Sequence, residues 1–215
     1  IFNGSILKNI SIQKNKCKGY FYKNISCSLG YNASYQNFLM TSGLKFNKVE
    51  IDMNFEKENS NCFILSGLNL KLGEHQEIKS RINHLAPNCK SFQKIKNVLE
   101  NDSVGIYQGK IYVKDVAQKT DAYQLSKALI LDDLAEFNAK PELEIYADDV
   151  KCSHGSSSGS IDLDAIHYLM TRGIELSNAK KLLINGFLSE IFENIPEQDI
   201  KTFLEKTIED QINGN

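Results

Sequence analysis

With 215 residues, 41% of them hydrophobic and 24% charged, the chain has the composition of an ordinary soluble globular protein of one large domain, or one domain with an appendage. A net charge of −2 argues against nucleic-acid binding driven by phosphate contacts. No window approaches the ~20 consecutive apolar residues that span a bilayer, so no membrane insertion is expected.

The chain opens "IFNGSILKNI", without Met and without a signal-peptide pattern, and reads as a fragment whose native N-terminus is missing. Its cysteines, Cys17, Cys27, Cys62, Cys89 and Cys152, are odd in number, widely spaced and free of any CxxC pair. That pattern suits buried thiols in a reducing compartment better than a disulfide framework.

From about residue 44 to 150 the apolar residues come in short alternating bursts: 44–55, 62–72, 104–113, 127–137 and 143–150. They are rich in Ile, Val, Leu, Phe and Tyr and are separated by Gly, Asn and Asp turns, which predicts short strands. The last three bursts, marked by Ile111, Leu129 and Ile145, recur every ~16–19 residues, the rhythm of a stacked β-solenoid with strands of about three to five residues. A Greek-key sandwich, with strands every ~8–12 residues, is the competing arrangement. A solenoid exposes strand edges at its ends, so a cap or a partner is expected there.

After Ser160 the pattern turns helical. Residues 1–150 hold 19 Lys/Arg against 17 Asp/Glu, whereas residues 151–215 hold 6 against 10, so charge and pattern shift together and place a boundary near 160. Ile166, Leu169 and Met170 share one helical face, with Gly173 as its stop. Ser177 is the expected N-cap of a second helix, whose face is Leu182, Leu183, Phe187, Ile191 and Ile195. Pro196 breaks it and opens a third, striped by Ile200, Phe203, Leu204 and Ile208. These stripes are expected to bury against a solenoid end or to dock a partner protein.

The stretch "YADDVKCSHGSSSG" (146–159) carries the one candidate for chemistry. If "LEIYADDVKCSH" continues as a strand, Cys152 and His154 project from the same face with Cα atoms ~6.5–7 Å apart. A thiolate and an imidazole are good ligands for iron, zinc or sulfur species. Two donors do not close a metal site, so further ligands have to come from elsewhere or from another chain. A buried thiol beside a turn histidine is the plainer alternative. Of the other histidines, His84 reads as a structural residue at a strand end, His75 as a solvated turn residue and His167 as a helix-surface group; "QKTDAYQ" (118–124) reads as an exposed polar turn. There is no phosphate loop, no GxGxxG after a strand, no GxSxG elbow and no HExxH. Trp is absent, and no aromatic ladder on basic strands supports a single-strand nucleic-acid groove.

Five stretches, "GLKFNKVEIDMNF", "LNLKLGEHQEIKSRINHLAPNCKS", "IYQGKIYVKDVAQKTDAYQLSKALIL", "KPELEIYADDVKCSHG" and "YLMTRGIELSNAKKLLINGF", resemble in order the SufB/SufD family of iron–sulfur cluster assembly proteins from about residue 40 to the C-terminus. The Cys-Ser-His-Gly run is most like the SufD branch; the SufB counterpart looks more like Glu-His-Glu-Ala at this place.

The resemblance implies a mainly β fold: a right-handed parallel β-helix core over 1–160 and a C-terminal α-helical region over 161–215. It further implies a non-catalytic scaffold subunit that pairs with a SufB-like protein through the solenoids. A SufC-like ABC-type ATPase would dock on the helical region at Leu183, Phe187 and Ile191. The cluster would be assembled transiently at the SufB–SufD interface, with none held tightly by this chain alone. His154 would be an iron or cluster ligand, with Cys152 beside it. Cytoplasm or a plastid-type stroma is the expected compartment, and a homodimer is a further form expected in isolation. The alternatives are a SufB-like subunit and a solenoid carbohydrate-active enzyme using Asp148 and Asp149 as acid and base.

Overall fold

The computed structural model describes residues 1–13, 18–193, 195 and 197–213. Cys17 and the helix break expected at Pro196 lie outside them. The described residues form eleven strands: β1 Ile6–Ile12, β2 Tyr20–Leu29, β3 Ser34–Thr41, β4 Phe46–Phe55, β5 Asn61–Leu70, β6 His75–His84, β7 Lys90–Leu99, β8 Val104–Val113, β9 Asp121–Ile130, β10 Glu136–Ile145 and β11 Lys151–Ser160. Helices α1 Leu163–Thr171, α2 Leu176–Ser189 and α3 Gln198–Asn213 follow, with a 3-10 turn at Glu190–Phe192 after α2.

Odd strands stack in one sheet, in the order β1-β3-β5-β7-β9-β11, and even strands in the other, β2-β4-β6-β8-β10. Every pair is parallel, so the chain winds as a β-solenoid of about five coils with one strand of each sheet per coil. One coil spans 26 residues where Tyr20 lies opposite Phe46, and 32 where Val104 lies opposite Glu136. The ~16–19-residue rhythm in the sequence is the step from one strand to the next, with Ile111 in β8, Leu129 in β9 and Ile145 in β10, and not a whole coil. Most strands have ten residues rather than three to five, because each must cross a whole flat face.

Alternation decides which side chains go inside. In β4 the residues Asn47, Val49, Ile51, Met53 and Phe55 are buried, while their neighbours are only half-covered. In register they build interior columns such as Val49–Ile78–Tyr107–Ala139 and Met53–Ile82–Ile111–Leu143. Each fully buried Val, Leu or Ile contributes roughly 1.5–3 kcal/mol, so repeated columns rather than any single contact hold the coils. The corners repeat as well. Asn32, Asn59, Asn88 and Lys119 each sit two residues before an odd strand with φ between 51° and 62°. Their N–H groups donate to the carbonyls of Glu58, Pro87, Gln118 and Asp149 in the following coil. Asn tolerates this left-handed conformation better than most residues, which suits three of the four corners.

The helices do not cap a solenoid end. They lie along the outer face of the odd-strand sheet, where Ile184, Leu188, Ile191, Phe192, Ile195, Leu204 and Ile208 pack on Phe38, Met40, Leu65 and Val98. These four outward residues are apolar and require this cover. Asp162 caps α1 by accepting from Asp164 and Ala165 N–H. Gly173 ends the helix at φ 86° as expected, with its N–H on the Met170 carbonyl and that of Ile174 on the Leu169 carbonyl. Ser177 is not the N-cap of α2; Glu175 holds that place and Ser177 lies in the first turn.

Gly109 marks the tightest point of the interior. A Cβ there would lie 2.2 Å from Tyr107 Oη and 2.4 Å from Gln124 Oε1, two atoms that also bond each other at 3.1 Å. Gly109→Ala is expected to destabilise by about 1–3 kcal/mol in denaturant unfolding. Gly159→Ala, with nothing within 4 Å of the added carbon, is the control expected to stay within about 0.5 kcal/mol.

Candidate functional site

Cys152 and His154 lie on β11, the last strand of the odd sheet, and β10 is the last of the even sheet. The run from 143 does not continue as one strand: β10 ends at Ile145, the chain turns through Tyr146–Val150, and β11 begins at Lys151. The i, i+2 relation survives because both residues fall inside β11. Cys152 pairs with Ala122 and His154 with Gln124, both buried inward positions of β9. Thiol and imidazole therefore stand in the solenoid's inward columns at its open end, where no described strand follows. Cys152 is half-buried against the core, and burial pushes its thiol up from the ordinary value, opposed by a hydrogen bond with the Ala122 backbone. His154 is exposed.

Behind His154 runs a polar file. Ser80 donates to Gln93 Oε1 at 2.6 Å, and Tyr107 Oη lies 3.3 Å from that oxygen and 3.1 Å from Gln124 Oε1. Gln124 Nε2 points to the carbonyls of Gly109 and Glu142 at 3.5 and 3.3 Å. All four side chains are buried, and burial pushes the Tyr107 hydroxyl up to about 12. The exposed turn expected over 118–124 is thus only half of the story: Gln118 bonds the Asp115 carbonyl in the turn, while Asp121–Gln124 open β9. Gln93, Gln124 and His154 occupy one column, one per coil, a periodicity that becomes visible only once the coil length is known.

The other histidines sit apart. His84 ends β6, buried and stacked on Phe55 at 4.4 Å, with Nε2 2.9 Å from Ser91 Oγ. His75 begins β6 and stacks on Phe46 at 5.1 Å; His167 is exposed on α1. Cys62 and Cys89 are buried free thiols and Cys27 is half-buried, each pushed up by burial. Asp148 and Asp149 are exposed in the bend before β11 and belong to no strand. Among the described residues no three His, Cys, Asp or Glu side chains converge to hold a metal ion, and no helix is long and apolar enough to cross a membrane.

On the helical side, Leu183 and Phe187 are half-buried, whereas Ile191 is 1% exposed and seated over Gly67 of β5. Ile191 therefore fastens the helices to the sheet and offers no accessible docking side chain. The outward apolar residues of the helices are Leu163, Tyr168, Met170, Leu176, Leu182 and Phe203.

A family model described as "SUF system FeS cluster assembly, SufBD core domain" matches residues 2–187. The chain is 29% identical over 188 residues, 87% of its length, to the iron–sulfur cluster assembly SufBD family protein slr0076 of Synechocystis sp.. It is 40% identical over 113 residues, 53% of its length, to the iron–sulfur cluster assembly protein SufD of Escherichia coli. It is 39% identical over 104 residues, 48% of its length, to the chloroplastic protein ABCI7 of Arabidopsis thaliana. These matches span 42%, 27% and 22% of the relatives' own lengths. The match takes in all eleven described strands, both candidate ligands and most of α2, and on it the chain belongs to the SufBD family of iron–sulfur cluster assembly proteins, with SufD-like character.

Proposed function

We propose that the chain is the SufD-type half of a two-chain scaffold, non-catalytic on its own, that builds and passes on iron–sulfur clusters. The observation that carries this reading is the inward-facing Cys152/His154 pair on an edge strand at the open end of the solenoid. Protein ligands to cluster iron are most often four, and this chain supplies two soft donors there. The missing donors come from a SufB-like partner whose solenoid abuts β10 and β11, edges that present unpaired backbone groups. His154 is the primary ligand of the nascent cluster, and the half-buried Cys152 stands behind it. The cluster is cargo of the pair, not a resident group of this chain.

The helical region supplies the second contact. A SufC-like ATPase docks on the exposed side of α1–α3, through Leu182 and Leu183 with the half-buried Phe187 at the margin of the contact, and ATP turnover there drives the scaffold. Cytoplasm or plastid stroma is the matching compartment.

Capture of a purified SufC-type ATPase by the immobilised chain tests the docking side. Removing residues 161–215 would uncover Phe38, Met40, Leu65 and Val98, so a point change is the better probe. Leu182→Glu, at a half-exposed position, is expected to weaken capture at least about tenfold without changing the melting temperature. Equal capture by both forms would remove the helices from the ATPase contact. No capture by the unaltered chain would remove the ATPase from the reading altogether.

A further inference from the structure

Lys96 is the least expected residue in the interface between the helices and the sheet. It points outward from β7, is 0% exposed, and lies among apolar residues of the sheet and the helices. Its Nζ donates to the Phe187 carbonyl at 2.6 Å, pairs with the Glu190 carboxylate and sits 4.2 Å from the centre of the Phe187 ring. Lys94, two residues earlier on the same face, donates to the Glu190 carbonyl and meets Glu193 at 3.6 Å. Lys127 is in register with Lys96 on β9.

The last turn of α2 carries no basic residue of its own. Two carbonyls at that end, of Phe187 in α2 and of Glu190 in the turn that follows, and the negative end of the helix dipole are met by two lysines of a strand about ninety positions away in the chain. Burial pushes the Lys96 ammonium down from its ordinary value, with Glu190 working against that shift. A buried charge usually stabilises less than an apolar residue of similar size would; its best-attested use is to fix register. An aliphatic interface tolerates sliding, whereas one ammonium shared by a carbonyl, a carboxylate and a ring allows a single seat.

We propose that Lys96 is a positioning residue for partner docking: it fixes the seat of the α2 C-terminal end on the solenoid, holding the Phe187 ring against the sheet, and thereby sets the face of α2 that carries the exposed Leu182 toward the partner. The role rests on the reading that these helices dock the ATPase.

Lys96→Met keeps the aliphatic stem and removes the charge; Glu190→Gln, at a half-exposed site, removes only the carboxylate and guards against a folding failure of the first variant. Hydrogen exchange over residues 184–192 is expected to speed up by at least about tenfold in Lys96→Met and less in Glu190→Gln, with β-strand exchange and melting temperature unchanged. Calorimetric titration with a SufC-type ATPase is expected to show Lys96→Met binding about tenfold more weakly than the unaltered chain. Unchanged exchange in both variants overturns the proposal, as does faster exchange throughout the strands, which would make Lys96 a plain stability residue. Local loosening with unchanged affinity overturns the positioning role. If the unaltered chain fails to bind the ATPase, the docking reading falls by that result, while exchange still decides the seat.

Discussion

His154→Ala is expected to abolish cluster maturation in a complementation assay while the chain still assembles with its partners. The side chain is exposed at the open end of the solenoid and packs into no core cluster, so its loss costs the fold little. What it removes is an imidazole donor held by β11 in the column of Gln93 and Gln124. An edge strand anchored along ten residues of β9 positions a donor more rigidly than a loop does. Cys152→Ser gives the informative contrast. Cys152 is half-covered and its thiol is pushed up by burial, so at neutral pH it is less thiolate than a free cysteine. A smaller loss is expected there than at His154. Normal maturation by His154→Ala, with the complex intact, would take the ligand role away from His154.

How far the sequence reached is clear from individual strands. Bursts 44–55, 62–72 and 104–113 match β4, β5 and β8, whose inward positions are mostly apolar. Strands β6 and β7 stood out less because their inward positions include Gln76, Ser80, His84, Gln93 and Asn97. A solenoid interior that carries polar files mutes the alternation on which strand recognition depends. The burst 127–137 runs across the end of β9 and the start of β10, since consecutive strands of the two sheets, joined by a short corner, leave no long polar gap. Cys152 and His154 were legible as a pair because the i, i+2 relation is local. The partner file through Gln124 and Tyr107 was not, because it joins residues from different coils. Likewise Ile191 lay on an apolar helical stripe, but a stripe alone does not tell a sheet-facing residue from a partner-facing one.

His84 gives the second large effect, and its sign follows from burial. In the folded chain the imidazole is sealed between Phe55 and Ser91 and burial pushes it down to about 3 from 6.5. Its Nδ1 meets no hydrogen-bond partner among the described residues, so a second proton there would be a buried, unshared charge. The unfolded chain takes up that proton as pH falls through 6.5, and the folded chain does not until about 3. Stability is therefore unaffected by His84 above neutrality and drains away between these two values, by about 2 kcal/mol at pH 5 and on the order of 4 kcal/mol near pH 3. His84→Phe keeps a ring against Phe55 and removes the proton site, at the cost of leaving the Ser91 hydroxyl without that bond. At pH 7 the variant is expected to be the less stable by about 1 kcal/mol. Between pH 7 and pH 5 it should lose about 2 kcal/mol less than the unaltered chain, so that the order of stability reverses. Denaturant unfolding of both proteins at the two pH values reads this directly, and parallel losses would show that His84 is not held neutral. The two histidines differ in setting: His84 is sealed in the core, whereas His154 is exposed at the open end of the solenoid.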